Sequence, residues 1–263
     1  MCIAVFLWQA HPLYPLILLL NRDEYFNRPT KPAEWWEGGD ILGGRDEIGG
    51  GTWLACCKNG RLAFLTNFRE NESLPFANTR GDLPLRFLKS KKNLAEFADE
   101  VIQDSDKFNG FNLILADLCS KNMVYMTNRP KEKKPSVLQV SLGIHVLTNA
   151  NLDSPWPKAQ RLLNNFRELL NIYGEGEVDV HEMVEKLMTD TIKADKSLLP
   201  GIYLPDDEYP RSSIFVDTDT ALGRYGTRST AVVLAKVNGE VCFYERYLED
   251  ETWKEHMIAY QIQ

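Results

Sequence analysis

The chain opens on two apolar runs, residues 2–8 and 15–21, with His11-Pro12 between them. Short apolar runs bounded by turn formers read as buried strands, so these two predict a hairpin. Gly49-Gly50-Gly51 breaks the chain before a third strand at 52–57. Lys58-Asn59-Gly60 then turns it into a fourth at 61–67, since Asn-Gly between β-like runs is a strong hairpin signal. The pattern changes period over 81–90 and 94–101. The second stretch sets Leu94, Phe97, Ala98 and Val101 at i, i+3, i+4 and i+7, the spacing of one helix face. Strand character returns at 112–118, 122–128 and 141–148, followed by a polar loop at 149–154. A longer helix is predicted over 158–172, with Leu162, Phe166, Leu169 and Leu170 inward and Gly174 as its stop. A helix at 180–188 follows, then strands at 212–216, 229–237, 241–247 and 257–261, with Asn238-Gly239 turning the middle pair.

Strands, helices, strands, helices and strands in that order predict an α+β fold in which helices cover the outer faces of antiparallel sheets. No internal repeat, low-complexity segment or linker interrupts the chain, so residues 1–263 are expected to form one domain. The apolar start is not read as a signal peptide. His11, Pro12 and Pro15 interrupt it, and no Lys or Arg precedes Arg22. Neither run approaches the ~20 residues needed to span a bilayer, so no transmembrane segment is expected and the protein is predicted to be soluble.

Composition narrows the chemistry. Hydrophobic residues make up 44% and charged residues 25%, ordinary for a globular protein. A net charge of −7 argues against a nucleic-acid partner held through its phosphates. The basic run at 131–134 is broken by Glu132 and reads as a solvated turn. The cysteines, Cys2, Cys56, Cys57, Cys119 and Cys242, are odd in number and show neither CxxC nor Cys/His spacing. That pattern favours a reducing compartment over a disulfide framework or a zinc site. His11, His145, His181 and His256 have no metal-ligand spacing. Trp35, Trp36, Trp53 and Trp156 read as core fillers.

The candidate chemistry begins at Met-Cys. A small second residue permits removal of the initiator Met, which would give Cys2 a free α-amine. An α-amine titrates near ~7.7–8.0 and a thiol near ~8.5, so the amine can take the thiol proton without a histidine. Polar residues follow directly on apolar strands at Asn21-Arg22-Asp23-Glu24, Thr66-Asn67 and Thr148-Asn149. Arg224 and Arg228 flank Tyr225-Gly226-Thr227. Strand ends of this kind are where several chains can converge on one site. Arg22 and Asp23 are adjacent, and neighbours within a strand face opposite ways. Both reach Cys2 only if the strand has ended by Asn21.

Asn21-Arg22-Asp23-Glu24, together with Met-Cys-Ile, Gly50-Gly51-Thr52-Trp53-Leu54, Leu65-Thr66-Asn67, Arg80-Gly81, Asn109-Gly110-Phe111-Asn112-Leu113, Thr148-Asn149-Ala150, Pro155-Trp156-Pro157-Lys158 and Tyr225-Gly226-Thr227-Arg228-Ser229-Thr230, resembles the NRDE family across nearly the whole chain. That family is also called the transport and Golgi organisation 2 family. The resemblance implies an N-terminal-nucleophile (Ntn) hydrolase-like fold, a four-layer αββα sandwich of two antiparallel sheets flanked by helices, similar to bile-salt hydrolases and penicillin V acylases. It places Cys2 at the nucleophile position and makes Arg22 and Asp23 the orienting pair. Asn67 and Asn149 become the oxyanion and amine contacts, and Arg228 the late arginine. It implies a role in Golgi organisation, protein secretion or lipid and haem homeostasis, in the cytoplasm with association to Golgi or mitochondria. The alternative is an amidohydrolase that cleaves a small acyl amide through a Cys2 acyl-enzyme. No cofactor is expected. The partner is expected to be a small acyl or lipid-like ligand; haem or acyl-CoA would be cargo, although no dedicated motif for either is present.

Overall fold

The computed structural model describes residues 2–71 and 73–263. Met1, on whose removal a free Cys2 amine depends, lies outside the described residues. The strands fall into two seven-stranded sheets, antiparallel throughout their assigned pairings, and the chain divides into two compact units that each own one sheet. The first unit takes the chain up to Asn27, Leu142–Thr148 and Leu152–Tyr260; the second takes Arg28–Ser141, Asn149–Asn151 and Gln261–Gln263.

The first unit begins with the expected hairpin, β1 (Ile3–Trp8) and β2 (Leu16–Tyr25). Every residue of β1 is buried, so its run is continuous rather than alternating. The second unit supplies β3 (Thr30–Trp35), β4 (Ile41–Asp46), β5 (Leu54–Cys57), β6 (Arg61–Asn67), α1 (Asp82–Lys89), α2 (Leu94–Asp104), β7 (Phe111–Asp117), β8 (Asn122–Thr127) and β9 (Ser136–Gln139). Its sheet runs in sequence order from β3 to β9. The eight residues of α1 are too few to be stable alone. Leu83, Phe87 and Leu88 bury against Ala63, Leu65, Leu113 and Leu115 on one face of this sheet, beside Phe97, Ala98 and Val101 of α2. A capping box, Asn93 with Glu96, starts α2.

The chain then completes the first unit with β10 (Gly143–Leu147), α3 (Pro157–Tyr173) and α4 (Val180–Met183), which continues as a π-helical turn over Val184–Met188. β11 (Asp217–Thr220), β12 (Gly223–Ala235), β13 (Glu240–Glu249) and β14 (Thr252–Gln261) follow. The sheet order is β10-β1-β2-β12-β13-β14, with β11 paired to β12. Leu162, Phe166, Leu169, Met183 and Leu187 pack on the face that presents Ile3, Val5, Ile17, Leu19, Val146, Val232 and Leu234. Each unit is thus a sheet with helices on one face, the α+β arrangement expected.

One expectation fails locally, and some strands were not expected. Residues 212–216 are not a strand. Ile214 and Val216 are buried, but the segment's backbone is held by single contacts: Phe215 N donates to Asp190 O, and Val216 N donates to the Thr227 hydroxyl. The ladder with β12 begins only at Asp217. Strands β3, β4, β9 and β11 carried too weak a pattern to be predicted. β3 contains Pro32, tolerated because this is an edge strand, and its register shifts between Lys31 and Glu34.

Candidate functional site

β2 does not end at Asn21. It runs to Tyr25, so Asn21-Arg22-Asp23-Glu24 lies inside a strand and its side chains alternate between two faces. Asn21 faces the helices. Its Nδ2 donates to Met188 O at 2.8 Å and Ile214 O at 3.2 Å, and its Oδ1 accepts the Thr230 hydroxyl at 2.6 Å. The first residue of the motif is therefore a structural tie. Asp23 shares that face and accepts the Thr227 hydroxyl at 2.7 Å. Burial pushes the Asp23 carboxyl above its usual range, opposed by the charge of Lys158, by the Thr227 bond and by Arg22.

Arg22 points the other way, and so does Cys2, because Ile3 beside it packs into the helix-side core. Ile3 pairs with Asn21, which sets Cys2 level with Arg22. Cys2 is buried, and its Sγ accepts the backbone N–H of Asp23. Burial pushes the Cys2 thiol up, while the Asp23 N–H and the Arg22 charge act in the opposite direction. The thiol is thus protonated at neutral pH and needs a base before it reacts. The expected orienting pair is split by the strand's alternation. Arg22 offers its side chain on the face of Cys2, whereas Asp23 offers the sulfur its main-chain N–H and acts on the thiol through the charge of a carboxyl bonded to Thr227 on the helix side.

A bulge in β12 completes this group. Thr227 pairs with Asp23 and Ser229 with Arg22, leaving Arg228 as the extra residue. Thr227 and Thr230 both bond side chains on the helix side. Residues three apart share a strand face only when one of the intervening residues is extra. Arg228 and Ser229 therefore both fall on the face of Cys2. Arg228 Nη1 donates to Tyr25 O at 3.2 Å; burial and then the charge of Arg22 lower its pKa, with Glu24 opposing. Gly226 permits the approach on which Thr227 depends, since a Cβ there would lie 2.2 Å from Val216 O. Arg224, singled out with Arg228, is instead an exposed partner of Asp217 and Glu251.

The two asparagines belong to the second unit and meet there. Asn149 is 1% exposed; its Nδ2 donates to Asn67 O at 2.7 Å, and its main-chain O accepts Arg69 N at 2.7 Å. Its Oδ1 is buried with no hydrogen-bond partner among the described residues. Because Nδ2 faces a carbonyl, the free atom is the acceptor. Sequence reasoning gave no role to Thr227, Lys158 or Ser229, although all three stand in motifs it quoted. Their signal was position beside a known motif residue rather than residue type. Cys2, Cys119 and Cys242 are free thiols.

The model of the family described as Transport and Golgi organisation 2 matches residues 1–250. The chain belongs to that family. The mouse Transport and Golgi organization 2 homolog is 32% identical over 281 residues, covering all of both chains, and the human homolog is 31% identical with the same coverage. Among solved structures, a cysteine-to-alanine mutant of the conjugated bile acid hydrolase from Clostridium perfringens aligns over 100% of this chain and 97% of its own, with a TM-score of 0.50 at 10% identity. That likeness shows the fold, the Ntn-hydrolase type expected from the sequence. Among the described residues, no helix is long and apolar enough to cross a membrane.

Proposed function

We propose that this chain serves transport and Golgi organisation, the role for which its relatives are named, by handling a small acyl or lipid-like ligand at the Cys2 cluster of an Ntn-type scaffold. The observation that carries this reading is the buried Cys2 sulfur under the Asp23 N–H, on one strand face with Arg22 and Arg228. Two cations beside a thiol suit an acyl group whose oxygens carry partial or full negative charge. The setting proposed is the cytoplasm, with association to Golgi or mitochondrial membranes.

The same cluster supports a second reading, an amidohydrolase. With Met1 removed, the Cys2 α-amine would take the thiol proton. The sulfur would attack an amide carbon, and a proton delivered to the leaving amine would leave a thioester for water to cleave. One experiment separates the readings. Purified protein and its Cys2→Ala variant are titrated spectroscopically with haem and acyl-CoA, and the wild type is incubated with acyl amides and weighed by mass spectrometry. Saturable binding that survives Cys2→Ala, without hydrolysis, supports the carrier. A mass adduct on Cys2 with turnover supports the hydrolase. No binding, adduct or turnover would sink both.

A further inference from the structure

Ser229 is 5% exposed, yet its Oγ has no hydrogen-bond partner among the described residues. A buried hydroxyl left unpaired costs about 1–3 kcal/mol and calls for an explanation. Its place supplies one. Arg22 pairs with Ser229 and Ser229 with Tyr247 in one cross-strand row, and Cys2, the residue before Ile3, whose partner is Asn21, leads into that row from the end of β1. The bulge at Arg228 is what turns Ser229 onto this face and sets a second guanidinium beside it. The Asp23 carboxyl bonds Thr227 on the helix side, although its charge still acts on the Cys2 thiol. Glu24, on the face of Arg22, offsets part of the positive charge. Glu245, two residues from Tyr247 in β13 and paired with Ala231, lies on this face as a second, buried carboxylate, so the positive charge is local to Arg22 and Arg228 beside Ser229.

We propose that Ser229, with Arg22 and Arg228, receives a second, anionic oxygen group on the acyl ligand, and that the ligand class is a short acyl chain ending in a carboxylate. This rests on the reading of Cys2 as the acyl-handling thiol. Strands lie about 4.8 Å apart, so Ser229 stands roughly 10 Å across the sheet from Cys2. That is too far for the carbonyl being attacked. It suits a carboxylate at the far end of a chain of about five carbons, with about 3 Å left for the final hydrogen bond.

The test compares two activated esters on the whole protein, 4-nitrophenyl acetate and mono-4-nitrophenyl glutarate, each corrected for its rate with free cysteine. In the reaction the thiol first loses its proton to solvent. The sulfur then bonds the acyl carbon, the carbon–oxygen bond to nitrophenol breaks, and nitrophenolate departs with the electron pair. Nitrophenolate release gives the rate, and peptide mass mapping gives the site. The wild type is expected to be acylated on Cys2 at least tenfold faster by the glutarate ester. Ser229→Ala should bring that preference to within about twofold of none; Ser229→Thr, which keeps the hydroxyl, should restore it. Methyl methanethiosulfonate, which has no carboxylate to recognise, should label Cys2 equally in all three proteins and so report an intact fold. Equal acylation of the wild type by both esters, or an undiminished preference in Ser229→Ala, overturns this inference alone. Failure of both esters to label wild-type Cys2 overturns the thiol reading beneath it as well.

Discussion

Asp23 serves the cluster through two separate groups: its N–H reaches the Cys2 sulfur, while its carboxyl is buried on the opposite face against Thr227. Burial dominates, so its pKa in the folded chain is raised above the unfolded value near 4. Folding therefore favours the protonated carboxyl. The stabilisation is fully present below the unfolded pKa and is lost as pH rises through the folded one. Asp23→Asn keeps the main-chain N–H and removes the titration. Urea unfolding at pH 4.5, 6 and 7.5 should show the variant gaining on the wild type as pH rises. A constant or shrinking gap would contradict the assignment. The neighbouring Asn21 shows why a motif is not a list of reacting groups: its side-chain amide is spent holding β2 to Met188, Ile214 and Thr230.

At the scale of elements, the termini and bulges decide what the site can do. Gly174 ends α3 at φ 61° and ψ −129°, with open space where a Cβ would go. The cost of a side chain there is one of backbone conformation alone, so Gly174→Ala should lower stability by about 1–2 kcal/mol in denaturant unfolding. No loss would mean that the helix ends in another way. This stop was legible, as were β1, β2, β13 and both long helices, because continuous apolar runs and a helical period leave little choice. The NRDE segment was legible as a site but not as a strand. Its polar residues looked like a strand end, whereas their backbone pairs with β12 as far as Tyr25. The bulge at Arg228 was not legible at all. It follows from which side chains Thr227 and Thr230 bond, and no spacing in the sequence announces it. Residues 212–216 misled for the opposite reason, since Ile214 and Val216 are apolar for burial rather than for pairing.

For the whole molecule, neither unit is a continuous piece of chain. The chain leaves one for the other after Asn27, Ser141, Thr148, Asn151 and Tyr260, and the three residues Asn149–Asn151 belong to the second unit although both flanks belong to the first. A segment so short cannot hold its place unless both flanks are folded. We therefore propose a single cooperative domain. Variants keeping only Trp8, in the first unit, or only Trp36, in the second, should unfold with coincident fluorescence midpoints. Two separated midpoints would show independent domains.

The claim on which the rest depends is that the face bearing Cys2 and Arg22 is where this protein works. Cells lacking their own Transport and Golgi organisation 2 relative can be supplied with the wild-type chain or with a Cys2→Ala/Arg22→Ala double variant, at equal abundance and with melting temperatures measured on the purified proteins. Secretion of a reporter protein is then timed. The account predicts that the wild type restores the secretion rate and that the folded double variant does not. Equal restoration by both would contradict it.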